Sequence, residues 1–255
     1  MRIFDSHLHV IDPRFPLVAN AGYLPEPFEV DDYLLMANPL GVVGGVVVSG
    51  SYQAWDRSYL EDALARLGPG FVGVAQLPEQ ATEREIRRLD GLGVRALRFN
   101  LKRGVFSDPR GVERLARRAF DTAGWHAELY LDAAEIPDLL PLLGRLPSVC
   151  IDHLGLSAGG FGYLLGLVEK GARVKATGFG RVDFPIADAL RRIVDIDPNS
   201  LMFGTDLPCT RAPRPFDLGD LKLIVDTLQD EALVRKVLFE NAVDFYRPVT
   251  APERG

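Results

Sequence analysis

The sequence predicts an α/β fold, a (β/α)8 TIM barrel closed by C-terminal helices. It is expected as one domain over residues 1–249, with a loose tail at 250–255. Three observations predict it. Short apolar runs alternate with longer amphipathic stretches along the whole chain. The runs are rich in Val, Ile, Leu and Phe, as strands buried on both faces of a parallel sheet are. No run leads into a glycine-rich dinucleotide loop, which a doubly wound open sheet, the main rival, would carry.

Eight segments read as strands: 2–9, 44–49, 70–77, 94–100, 125–131, 148–153, 173–177 and 201–206. Between them, 58–67, 82–92, 112–122, 136–143 and 186–193 place apolar residues three or four apart, the spacing of a helix face. Thr82-Glu83-Arg84-Glu85 has a hydroxyl followed three residues later by Glu, a capping-box pattern that starts a helix. Gly91 and Gly93 mark the exit of that helix, and Asp197-Pro198-Asn199 breaks the chain before the last strand. Residues 217–246 read as one or two amphipathic helices closing the ring. After the first strand, 12–28 carries Pro13, Pro16, Pro25 and Pro27 and suits a loop that frames the mouth or merely covers it. Tyr52, Gln53 and Trp55, after the second strand, either wall a ring-shaped ligand or pack.

A hydrophobic content of 47% with 25% charged residues is ordinary for a globular protein. The net charge of −6 leaves no broad basic field for phosphates, so a general nucleic-acid binder is excluded. Two cysteines, Cys150 and Cys209, make no disulfide framework and no metal-binding pair, which points to a reducing compartment. No apolar run approaches the roughly 18 residues of a membrane span, and the chain begins strand-like at once. The expected location is the cytoplasm, without a membrane partner; oligomeric state is not readable.

Three of the four histidines close predicted strands: His7 and His9 the first, and His153 a later one. Asp206 closes the last. Alternation along a strand puts His7 and His9 on one face, with Asp5. It likewise groups Arg98 with Asn100, and His126 with Glu128, Tyr130 and Asp132. If these faces point inward, their C-terminal members meet at the mouth, where such barrels do chemistry. Imidazoles beside a carboxylate suit a divalent-metal or general acid/base site. His126, at the start of its strand, lies nearer the floor and reads as structural.

Asp5-Ser6-His7-Leu8-His9, Asp152-His153-Leu154-Gly155 and Gly204-Thr205-Asp206-Leu207-Pro208 resemble, in order, the HxH, sixth-strand histidine and eighth-strand aspartate of the amidohydrolase superfamily. The ending Asn241-Ala242-Val243-Asp244-Phe245-Tyr246 is similar to that of its amidohydrolase-2 branch. Within the branch, Gly93-Val94-Arg95-Ala96-Leu97-Arg98-Phe99-Asn100 and Gly124-Trp125-His126 resemble the group of pyrone dicarboxylate and sugar lactonases. The resemblance spans nearly the whole chain.

It implies a hydrolase that opens a small lactone or related carboxylic ester. Asp206 would activate the attacking water. His7, His9 and His153 would polarise the carbonyl, directly or through one divalent cation. Arg98, Arg103, Tyr130 and Arg181 would contact substrate. Arg98 reads alternatively as an ion pair inside the mouth, Lys102 and Arg103 as plain surface charges, and Arg181, Arg211 and Arg214 as solvated loop residues. Tyr130 and Arg98 stand where many metal-bearing relatives have a histidine and a lysine or glutamate. The resemblance therefore implies at most one weakly held Zn2+ or Mn2+, through His7, His9, His153 and Asp206, or a metal-free site. Leu156-Ser157 replaces an arginine expected in the pyrone lactonase, which counts against a dicarboxylate pyrone and makes a smaller or less charged lactone, such as a sugar lactone, an equal reading. Two alternatives stand beside this: a metal-dependent decarboxylase of an aromatic or muconate-type acid, and a non-catalytic ligand-binding barrel.

Overall fold

Each predicted apolar run becomes a strand of one parallel sheet. The computed structural model describes residues 1–104 and 108–249; the tail expected at 250–255 lies outside them. The strands are β1 (Ile3–Leu8), β2 (Val42–Val48), β3 (Phe71–Ala75), β4 (Val94–Asn100), β5 (His126–Tyr130), β6 (Val149–Ile151), β7 (Arg173–Ala176) and β8 (Leu201–Phe203). They pair in chain order from β1 to β8, the arrangement of a (β/α)8 barrel. The ring closes past the ends of the first and last strands, where the Asp206 amide donates to the His7 carbonyl (2.8 Å) and the His9 amide to the Leu207 carbonyl (2.8 Å).

Helices α1 (Val30–Ala37), α2 (Ser58–Leu67), α3 (Glu83–Gly91), α4 (Pro109–Ala123), α5 (Ile136–Leu143), α6 (Phe161–Val168) and α7 (Ile186–Ile196) form the outer layer. α2 and α5 have the predicted bounds, whereas α1 and α6 were not foreseen. Thr82 caps α3 by accepting from the Glu85 amide (3.2 Å), which is half of the capping box expected there. Helices α8 (Leu218–Leu228), α9 (Glu231–Arg235) and α10 (Asn241–Tyr246), with a π-helical turn at Lys236–Glu240, close the floor.

Apolar burial divides into two shells. The larger lies between sheet and helices; a smaller one fills the barrel interior with Phe4, Val46, Val48, Val72, Val74, Ala96, Cys150 and Met202. Phe239, Ala242, Val243 and Tyr246 plug that interior from below. Asn241 Nδ2 donates to the carbonyls of Pro198 (2.9 Å) and Leu201 (2.8 Å), so the C-terminal motif ties the floor helices to the start of β8. Among the described residues no helix is long and apolar enough to cross a membrane.

Two expectations need correction. Strands β6 and β8 stop at Ile151 and Phe203, short of His153 and Asp206. Both residues have left-handed backbone (φ +49° and +61°), which a strand cannot accommodate, so they sit on the turns just beyond. Asp5 does not share the face of His7. The β1–β2 register advances three residues on β1, Asp5 to Leu8, for two on β2, Gly45 to Val47. That extra residue is a bulge, and it breaks the alternation on which the expectation rested. Asp5 therefore faces the Tyr33 hydroxyl of α1 (3.0 Å), while His7 faces the interior beside Lys175.

Candidate active site

Above the apolar plug lies a layer of buried charge. Lys175 on β7 points inward between the outward-packed Val174 and Ala176, and is fully buried. Its Nζ is 2.6 Å from Glu128 Oε1, 3.7 Å from Asp152 Oδ1 and 3.2 Å from His7 Nδ1. Arg98 binds Asp152 and reaches Glu128 at 3.2 Å. Tyr246 donates its hydroxyl to the other Glu128 oxygen at 2.7 Å. Two cations and two carboxylates thus balance inside the barrel, as buried charges must. Burial alone would raise Glu128; Lys175, His126 and Arg98 outweigh it, and the repulsion from Asp152, and bring the carboxyl down to about 2. Arg98 accordingly fills the ion-pair role as well as facing the mouth. Lys175 carried no signal in sequence beyond one polar residue at an inward position of a short strand.

The next layer up is the site itself. Asp5 holds its frame by accepting from the Thr205 amide (2.8 Å) and hydroxyl (2.6 Å) across the closing seam. Burial nonetheless raises the Asp5 pKa, outweighing these bonds. Gly204 permits the seam: a Cβ there would come within 2.8 Å of the His7 backbone nitrogen. The seam delivers Asp206 to the two histidines, with Oδ1 3.8 Å from His7 Nε2 and 3.6 Å from His9 Nε2. The other Asp206 oxygen is held by Arg181, from Nε at 2.9 Å and Nη2 at 2.7 Å. Oδ1 itself is buried with no hydrogen-bond partner. Burial pushes this carboxyl up, but His153 and His7, once acid protonates them, and the Arg181 guanidinium hold it well below the usual carboxylate range, so it is ionised at neutral pH.

His153 completes the cluster, its ring 4.9 Å from that of His7 and 5.3 Å from Tyr130. Gly178 makes room for it, since a Cβ there would meet His153 Nδ1 at 2.6 Å. Burial, helped by nearby Lys175 for His7 and countered by Asp206 for His153, lowers both imidazoles well below their ordinary pKa. Both are therefore neutral at neutral pH. His126 lies away from this cluster, its ring 4.1 Å from that of Phe245 on the floor, as its place in the strand implied.

The mouth above is lined by Arg98, Arg103, Arg181 and Arg211 together with Tyr23, Tyr52 and Tyr130. Tyr23 comes from the proline-rich loop, so that loop does frame the mouth. Arg181 is spent on Asp206 and the Thr210 carbonyl. Arg103 lies over the Tyr130 ring (5.8 Å) and Arg211 over Tyr23 (4.3 Å), with the terminal nitrogens of Arg211 donating to the side-chain and backbone oxygens of Asn20; among the described residues neither arginine meets a carboxylate. Burial and then repulsion from Arg103 lower the Arg211 pKa, as expected where two cations face one space without a countercharge. Lys102 pairs with Asp132 at 2.7 Å on the surface. Arg211 and Tyr23 were not singled out for the site in sequence: Arg211 read as a solvated loop residue, and nothing local marked Tyr23 among its neighbours in the loop at 12–28.

The donor set fits a divalent cation in part. His9 Nδ1 lies 2.8 Å from the Val48 carbonyl, which can only accept, so its Nε2 is open toward Asp206 Oδ1. His7, Glu128 and Asp152 group just as closely, but around Lys175. An ammonium against His7 Nδ1 works against a metal at Nε2 of the same ring.

Known proteins resemble this chain in sequence and in fold. A model of the amidohydrolase family matches residues 4–247. A 2-pyrone-4,6-dicarboxylate hydrolase of Comamonas testosteroni is 26% identical over 276 residues, covering 96% of this chain and 90% of that protein. A 4-sulfomuconolactone hydrolase of Rhizobium radiobacter is 29% identical over 271 residues, covering 93% and 87%. In fold, an apo structure from Agrobacterium tumefaciens superposes with a TM-score of 0.85 at 22% identity, covering 97% of this chain and 96% of that one.

Proposed function

The chain belongs to this amidohydrolase family, and on that footing we propose that it hydrolyses a small lactone bearing at least one anionic group. The observation that carries the reading is Asp206 Oδ1: ionised, without a partner, and facing two imidazole nitrogens beneath an arginine-lined mouth. Both relatives are named as hydrolases of cyclic esters, a pyrone and a muconolactone. That favours ring opening over decarboxylation and over a non-catalytic barrel.

In the proposed reaction Asp206 Oδ1 accepts the proton of a water molecule as its oxygen attacks the lactone carbonyl. Neutral His7 and His153 offer N–H groups to the oxyanion that develops, and Arg98 adds its charge from the layer beneath. Collapse of the tetrahedral intermediate breaks the ring C–O bond. The proton held by Asp206 passes to the departing oxygen, so lactone and water become a hydroxy acid or its keto form. Arg103 and Arg211 receive the substrate's anionic group, since planar guanidinium forks suit carboxylates and sulfonates. Tyr130 and Tyr52 wall the ring. This assigns Arg181 to Asp206 rather than directly to substrate. The unpaired arginines favour an anionic lactone over the less charged one suggested by Leu156-Ser157.

A panel of neutral, monoanionic and dianionic lactones, followed by NMR for the ring-opened acid, tests the reading. Turnover confined to anionic lactones supports it. Release of carbon dioxide, or tight binding without turnover across the panel, overturns it.

A further inference from the structure

We infer that Lys175 is a positioning residue that fixes the tautomer of His7, so that His7 presents an N–H to the site while His9 presents a lone pair. The two histidines share a strand end and aim Nε2 at the same oxygen, Asp206 Oδ1, at 3.8 Å and 3.6 Å. Their other nitrogens meet opposite chemistry. His9 Nδ1 faces the Val48 carbonyl at 2.8 Å, an acceptor only, and must carry the ring hydrogen. His7 Nδ1 faces Lys175 Nζ at 3.2 Å. That group is a donor only as an ammonium, and it is held as one against Glu128 Oε1 at 2.6 Å, with Asp152 Oδ1 at 3.7 Å. It therefore donates to Nδ1, which must then hold a lone pair, so the ring hydrogen of His7 resides on Nε2.

A competing arrangement lies close by. Asp152 Oδ1 is 3.3 Å from His7 Nδ1 and would hold the opposite tautomer, the one that frees Nε2 for a metal. Asp152 Oδ1 makes no hydrogen bond, however, so the geometry favours Lys175. Lys175 thus decides between two uses of one constellation. With it, the pocket holds a donor at His7 and an acceptor at His9, and a divalent cation can recruit only His9 and Asp206 from that trio. Without it, His7 turns to Asp152 and the trio becomes a three-ligand metal site. The benefit to catalysis rests on the lactonase reading; the tautomer does not.

The chain has only four histidines, so ring-15N NMR of the full-length protein can assign each from single His→Gln variants. The expected spectrum near neutral pH shows His7 with protonated Nε2 and bare Nδ1, and His9 with the reverse. A His7 ring protonated at Nδ1 overturns the inference. In parallel, zinc affinity is measured by competition with a chromogenic chelator. Lys175→Met, and Lys175→Met with Glu128→Gln to keep the buried charge balanced should the single variant not fold, should move the His7 hydrogen to Nδ1. Both should bind zinc on the order of 10- to 100-fold more tightly, the usual weight of a ligand's supporting partner. Lys175→Arg, which keeps a donor cation, should retain the wild-type tautomer and zinc affinity. A folded Lys175→Met variant, single or paired, with unchanged tautomer and unchanged zinc affinity would refute the role.

Discussion

Replacing Asp206 with Asn is the most direct perturbation of the proposed chemistry, because the change is nearly isosteric and its two halves separate cleanly. Arg181 donates to one oxygen from two nitrogens, at 2.9 Å and 2.7 Å, and the amide oxygen of Asn can keep accepting both. The amide nitrogen then replaces Oδ1, the atom that faces His7 and His9 without a partner. An amide nitrogen cannot take a proton from water. The loss should equal what a positioned general base supplies, about 10²- to 10⁴-fold in kcat, or roughly 2.7–5.4 kcal/mol of barrier. Stability should also fall, by on the order of 3 kcal/mol, because Arg181 is left buried without a countercharge. Initial rates on the preferred lactone, with calorimetric binding of the unreacted lactone and denaturant unfolding, separate the two effects. A folded Asn variant that binds substrate and turns over within tenfold of wild type would remove Asp206 as the base.

Arg181→Met should move the acid limb of the pH–rate profile upward. Asp206 works deprotonated and Arg181 helps depress its pKa, so without the arginine activity is lost at a higher pH as pH falls; an unmoved limb contradicts the assignment. Arg103→Ala should raise KM for an anionic lactone by about 10- to 100-fold, the weight of a charged hydrogen bond, with kcat and thermal midpoint nearly unchanged. A kcat loss without a KM change would place Arg103 elsewhere in the mechanism. Glu128→Ala strands Lys175 and the Tyr246 hydroxyl inside the barrel and should cost about 3–5 kcal/mol in urea unfolding. A loss under 1 kcal/mol would mean that the buried charge layer does not depend on it. Unfolding should also become easier on mild acidification. His7, His126 and His153 have depressed folded-state pKa values, so the unfolded chain takes up protons first. Their contribution is fully present above the ordinary histidine pKa of about 6.5 and is lost as pH falls below it, at up to about 1.4 kcal/mol per pH unit for each group. Equal stability at pH 7.5 and 5.5 would show these rings to be exposed.

How much of this was legible in the sequence differs from element to element. The order of strands and helices was, because burial imposes periodicity on every segment regardless of its partners: α2 and α5 appear with the bounds their apolar spacing predicts. Helix α1 was hidden behind the proline-rich loop, and α6 by Gly160, Gly162 and Gly166, which read as loop until packing shows otherwise. His7, His9, His153 and Asp206 were legible as a set, since their residue types and strand-end positions are local features. Their geometry was not. The bulge that turns His7 inward is a mismatch between two strands, visible only where β1 meets β2. The His153 ring needs the room that Gly178 leaves, and the closing seam needs Gly204 to clear His7; both are contacts between segments distant in sequence. Lys175 had to meet His7 of β1, Glu128 of β5 and Asp152 just past β6 before its ammonium could matter. The sequence by itself therefore determined which groups are present and at which end of the barrel. Tertiary structure alone decided which of them pair, and so which nitrogen of each imidazole faces the site, because hydrogen-bond polarity is a property of contacts rather than of residues.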